Sequence, residues 1–100
     1  MRDIHIAHLD KARPVVVLTR DPVREHLNNV TVAPITSTIK GLSTEVPVGR
    51  RNGLDHEGVA SCDNITTIPK VALGRHVGLL MDDQEPALAL AVRHAFALWA

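Results

Sequence analysis

The chain has 100 residues, with 11 Lys+Arg against 11 Asp+Glu, one Cys, one Trp, one Phe and no Tyr. That length predicts a single domain over 1–100 with room for one core, and 45% apolar against 22% charged residues exclude a disordered chain. No apolar stretch approaches the ~20 residues that span a bilayer, and a lone Cys62 excludes an internal disulfide or a cysteine zinc site, so the expectation is a cytoplasmic protein.

Ile4, Ile6 and Ala7 to Leu9 alternate imperfectly with Asp3, His5 and His8, which predicts a short half-buried strand. Residues 14–18, PVVVL, are a continuous β-branched run of the kind buried on both faces of a sheet. Asn28-Asn29 signals a turn, and 30–35 follow as a third strand. Pro34 has no N–H to give a ladder, so that strand is expected to be an edge there, or bulged, or ending. Short strands are predicted at 44–48, 59–62 and 65–68, with Asn52-Gly53 as a strong turn signal between the first two. Gly74 and Gly78 flank a segment that reads equally as one helical turn or a strand. The period then changes. Leu88, Ala91, Val92, Ala95, Phe96 and Trp99 recur at helical spacing, and Asp82 with Glu85 looks like a capping box ahead of Pro86. A helix is predicted at about 83–98. The fold class is therefore mainly β (α+β), a small curved sheet or barrel closed by a C-terminal helix.

Candidate chemistry is sparse. His5 and His8 are three apart on a strand and point to opposite faces, so they cannot share one ion, and the other four histidines have no ligand spacing. Cys62 has no basic flank and reads as a buried, inert thiol. Zero net charge and few aromatics argue, as averages, against a nucleic-acid partner. The charges are polarised, however. Residues 11–51 hold seven basic and three acidic side chains, whereas 52–100 hold three basic and six acidic.

Three stretches in order carry a resemblance. Arg13-Pro14-Val15-Val16-Val17-Leu18-Thr19, Val32-Ala33-Pro34-Ile35-Thr36-Ser37 and Gly58-Val59-Ala60-Ser61-Cys62-Asp63-Asn64-Ile65 together resemble the MazF/PemK family of toxin endoribonucleases, and the match runs across 3–99. The resemblance implies an SH3-like barrel, a homodimer, no metal or other cofactor, and a cognate MazE-like antitoxin. It further implies cleavage of single-stranded RNA (mRNA, or tRNA and rRNA) by attack of a ribose 2′-OH, leaving 2′,3′-cyclic phosphate and 5′-OH ends. The family's catalytic Arg corresponds to Arg13 and its catalytic Thr to Thr36. The physics agrees with both assignments. A guanidinium offers planar, charge-assisted donors to the phosphorane oxygens, but is a poor base, and a Thr hydroxyl can donate to a nonbridging oxygen. Ser37, Thr38 and Lys40 on the following loop are candidates for a phosphate track or are simply solvated. Asp63 and Asn64 either contact bases or hold their own loop.

The chain also departs from the family pattern. His5 stands where an aromatic residue is usual, the first loop is cut to about Asp10-Lys11-Ala12, and Ser61 replaces an additional active-site Arg of some members. The alternative reading is a non-enzymatic gyrase inhibitor of the CcdB type on the same fold, which Trp99 near the terminus invites.

Overall fold

A computed structural model describes residues 1–98. Its elements are β1 (Arg2–His8), β2 (Ala12–Val17), a four-residue helix α1 (Asp21–Arg24), β3 (Asn29–Thr36), β4 (Glu45–Val48), β5 (Gly58–Ser61), β6 (Thr66–Pro69), β7 (Leu73–Leu80) and α2 (Glu85–Ala95). All neighbouring strands run antiparallel in one sheet ordered β4-β5-β3-β2-β1-β7, with β6 pairing β3 beside β5. The expected mainly β fold with a C-terminal helix is what forms, and the uncertain 74–78 segment is strand.

The run of valines in β2 is buried on both sides. Val16 joins a cluster with Ile4, Ala33, Ile35, Val46 and Leu80 that Leu88 and Ala91 of α2 cover. Val15 and Val17 join a second cluster on the opposite face with Ala7, Val30, Val32 and Ile68. Each fully buried valine of this kind contributes about 1.5–3 kcal/mol of transfer free energy, so β2 and β3 form the spine of the fold.

Curvature comes from β3. Its first half, Asn29 to Val32, pairs with β6, and its end, Ile35 and Thr36, pairs with β5. Between those partners the chain steps through a 3-10 turn, Cys62–Asn64. Pro34 therefore lies in an interior strand, in register with Val15 of β2 on one side and with no strand partner on the other, so the expected edge is a local one. Thr31 turns both backbone groups toward β2, accepting from the Leu18 N–H at 2.8 Å and donating to Thr19 Oγ1 at 2.8 Å. Alternation along the strand then aims the nitrogen of Pro34 at the break between β6 and β5, where no ladder bond is lost.

β7 pairs with β1 across two register shifts. Its Gly78 has to be small, because a Cβ there would overlap the backbone carbonyl of Asn52. Asn52 is itself buried. Its side chain accepts the Gly49 N–H at 3.0 Å and donates to the Leu79 carbonyl at 2.9 Å and to Gln84 Oε1 at 2.7 Å. This amide fastens the β4–β5 connection to β7 and to the approach of α2. Gly53 completes the predicted turn at φ 87°, a conformation L side chains resist.

The helix is shorter than predicted, starting at Glu85 after a 3-10 turn over Asp82–Gln84 and ending at Ala95. The expected capping box does not form. Asp82 pairs with the N-terminal amine of Met1, Glu85 pairs with Arg2 Nε at 2.9 Å, and Gln84 accepts the Met81 N–H at 2.8 Å instead. Phe96, expected on the packed stripe, is 56% exposed, since the helix has ended and Ala97 turns to φ 52°. Trp99 lies outside the described residues.

Candidate active site

The β2–β3 ladder runs from Val17–Val32 to Val15–Pro34. Beyond it, β2 stays with β1 as far as Ala12, while β3 goes on with β5. The two strands part there, and a cleft of about 470 Å³ opens at the parting. Two residues beyond Val15–Pro34 on each strand, Arg13 and Thr36 come at equivalent positions on the two sides of the parting, and both line the cleft. Arg13 and Pro14 form one side of the cleft and Ile35 to Thr38 another, and the β4–β5 loop from Gly53 to Gly58 together with Arg75 and Val77 of β7 completes it.

Arg13 is held with its side chain 28% exposed, and its Nε is buried with no hydrogen-bond partner among the described residues. The nearest carboxylate oxygen, on Asp10, is 4.0 Å from its terminal nitrogen. An unsatisfied buried donor costs roughly 1–3 kcal/mol. An anionic oxygen entering the cleft would relieve that cost, and the rest of the guanidinium presents further donors to the same anion. Thr36 Oγ1 accepts the backbone N–H of Thr38 at 3.1 Å, which leaves its own proton free to donate.

Of the other sequence candidates, Ser37 and Thr38 line the cleft and Lys40, Asp63 and Asn64 do not. The Lys40 backbone N–H, with those of Gly41 and Leu42, folds onto the Glu45 carboxylate at 2.8–3.2 Å. Asp63 accepts from Thr44 Oγ1 at 2.6 Å and Asn64 donates to Ser61 Oγ at 2.8 Å, so both are engaged in tying loops together. Sequence reasoning missed Lys11, Asp55, His56, Glu57 and Arg75, all of which reach the cleft. Among the described residues their side chains make no hydrogen bond or ion pair. Three cationic side chains thus face two carboxylates and an imidazole across one opening.

Outside the cleft, His5 meets His76 edge to face with ring centroids 5.1 Å apart, and its Nδ1–H donates to the Gly74 carbonyl at 2.9 Å. His76 Nε2 is 3.0 Å from Asp3, whose other oxygen takes Arg24 at 2.6 Å. The Arg24 bond, opposed by partial burial and aided by His76, holds the Asp3 carboxyl below its usual range. Burial, with the Asp63 charge behind it, pushes the Cys62 thiol up to about 11, in keeping with an inert core cysteine. No helix of the described residues is long and apolar enough to cross a membrane, and no group of three or more His, Cys, Asp or Glu among them is placed to hold a metal ion.

Comparison with known proteins finds matches along nearly the whole chain. Endoribonuclease MazF3 of Mycobacterium tuberculosis is 63% identical over 98 residues, covering 98% of this chain and 95% of that protein. The solved Mycobacterium tuberculosis toxin MazF-mt6 superposes with a TM-score of 0.97 at 62% identity, covering 99% of this chain and all of that one. An endoribonuclease in complex with its cognate antitoxin from a mycobacterial species shares the fold at a TM-score of 0.86 and 23% identity, over 98% of this chain and 95% of that one. The model of the family described as PemK-like, MazF-like toxin of type II toxin-antitoxin system matches residues 3–96, and the chain belongs to that family.

Proposed function

We propose that this toxin is a metal-independent endoribonuclease of single-stranded RNA, folded as one domain, with Arg13 and Thr36 as its catalytic pair. The observation that carries the reading is the buried, unpartnered Nε of Arg13 standing across the strand parting from a Thr hydroxyl with a proton to give. In the reaction the ribose 2′-oxygen bonds to the adjacent phosphorus as it loses its proton. The bond from phosphorus to the 5′-oxygen breaks, and that oxygen leaves with a proton. Negative charge gathers on the nonbridging oxygens, which the Arg13 guanidinium and the Thr36 hydroxyl stabilise. Ser37, Thr38, Lys11 and Arg75 line the path along which neighbouring phosphates run, and Lys40, Asp63 and Asn64 support the flanking loops.

The protein works in the cytoplasm as a homodimer and is silenced by a MazE-like antitoxin. An acidic, extended antitoxin segment suits the cationic side of the cleft and would compete there with phosphate. The gyrase-inhibitor alternative gives no role to an arginine held at a cleft in this way.

The test is cleavage of a single-stranded transcript by purified protein in EDTA. The expected products carry 5′-OH and 2′,3′-cyclic phosphate ends. Arg13→Ala and Thr36→Val should each lower the rate by about 10²–10³-fold, the effect of losing one oxyanion donor. Arg13→Lys should recover little, because an ammonium cannot reproduce the planar fork. Full activity in Arg13→Ala, or products with 5′-phosphate ends, overturns the assignment.

A further inference from the structure

The carboxylates of the cleft are unexpected in a site that holds phosphates, and one of them is placed with care. β4 and β5 pair from Glu45–Ser61 to Val48–Gly58, and the next step sets Gly49 opposite Glu57. The Glu57 side chain crosses over Gly49, and any Cβ on Gly49 would overlap its carboxylate. Gly49 has φ −175°, extended backbone open to any residue, so what its missing side chain provides is room for that carboxylate. The same arithmetic locates Glu57 relative to the catalytic pair. Thr36 pairs with Val59, two residues from Glu57 on the same strand direction and therefore on the same face of the sheet. Diagonal backbone positions of that kind stand roughly 7–8 Å apart, and the carboxylate itself lies over Gly49, on the β4 side of that position, set along the cleft from Thr36 and not against it.

The loop that carries Glu57 is clamped at both ends. Gly58 lies against the Thr36 carbonyl, and Gly53 lies against the Val77 carbonyl next to the buried Asn52. Within the described residues Glu57 has no cationic partner of its own, although Arg13, Lys11 and Arg75 share its cleft. A carboxylate facing RNA repels phosphates and accepts hydrogen bonds only. The groups in RNA that would meet it favourably are the exocyclic amino groups of cytosine, adenine and guanine. Uracil offers one N–H flanked by two carbonyl oxygens, which face the carboxylate unfavourably.

We infer that Glu57, given its place by the absent side chain of Gly49, reads the base beside the scissile phosphate and selects one that presents an amino group over uracil. This inference rests on the endoribonuclease reading above and adds a specificity residue to it. The test uses a set of synthetic single-stranded RNAs that differ only in the base on each side of the cut. Each is cleaved by the wild type, Glu57→Gln and Gly49→Ala. Gly49→Ala keeps the charge and displaces only the far end of a flexible side chain, so it isolates position from electrostatics.

For the wild type, one flanking position should favour amino bases over uracil by about tenfold or more, the usual scale of a single base contact. In both variants that ratio should fall to within about threefold of unity. An unchanged ratio in both variants overturns the inference and leaves the endoribonuclease reading standing. So does an equal slowing of every RNA with the ratio intact, which would mark Glu57 as acting on the reaction itself. A wild type that cuts none of the RNAs refutes the underlying activity and this inference with it.

Discussion

Replacing Asn52 by Ala should be among the most damaging single changes available in this chain, for reasons that can be worked from the structure. The side chain is 1% exposed and makes four contacts, to the Gly49 N–H, the Leu79 carbonyl and twice with Gln84. Gln84 keeps other partners, since it accepts from the Met81 N–H and donates toward the Pro47 carbonyl. The Gly49 N–H and Leu79 carbonyl lose theirs. Two backbone groups left unsatisfied at about 1–3 kcal/mol each give a loss near 3 kcal/mol. For a chain of this size that corresponds to a fall in Tm of about 12–24 °C. Thermal unfolding followed by circular dichroism, with a urea titration to check an unchanged m-value, measures it. Asn52→Asp is close to isosteric yet turns an oxygen toward the Leu79 carbonyl, so it should cost at least as much. A Tm within about 4 °C of wild type for Asn52→Ala, or Asn52→Asp milder than Asn52→Ala, refutes the argument that hydrogen bonding by this amide fastens the β4–β5 loop.

Two further outcomes follow from the titrating groups. Asp3 is held below its ordinary pKa first by its bond to Arg24, so its contribution to stability is fully present above about pH 5 and disappears as pH falls through its folded-state value. Asp3→Asn should therefore be less stable than wild type at neutral pH, with the gap closing in urea titrations as pH falls below the ordinary carboxylate range; a gap independent of pH would refute the ionic origin. Cys62 has its thiol raised to about 11 by burial. It should resist a thiol-specific reagent at pH 8 in the native protein and react at once in denaturant, and rapid native labelling would contradict the packing described.

Much of the fold was legible because local pattern and tertiary environment agree. The Val15-Val16-Val17 run reads as a strand buried on both faces, and Asn52-Gly53 reads as the turn it makes. Leu88 and Ala91 mark the helix face that packs. Disagreement arose where a residue's role is set by a distant partner. β7 was ambiguous because Gly74 and Gly78 weaken any strand signal, and they are small on account of Ile6, His8 and Asn52, which sequence proximity does not reveal. Asp82 and Glu85 have the spacing of a capping box, but the N-terminal amine and Arg2 claim them first. Arg13 and Thr36 came from the motif resemblance, and their register across β2 and β3 supports the pairing. Lys11, Glu57 and Arg75 were silent, since only the parting of two strands brings a hairpin, a loop and the last strand to one opening.

The pairing of β1 with β7 joins Arg2 to Leu80, nearly the two ends of the described chain. During synthesis β1 emerges before the other strands and has only β2 beside it until β7, the last strand of the sheet, has left the ribosome. Arg75, one wall of the cleft, rides on that last strand. The cleft that Arg13 and Thr36 line therefore closes only when the last strand of the sheet reaches the first, and long-range closure of this kind is a slow step.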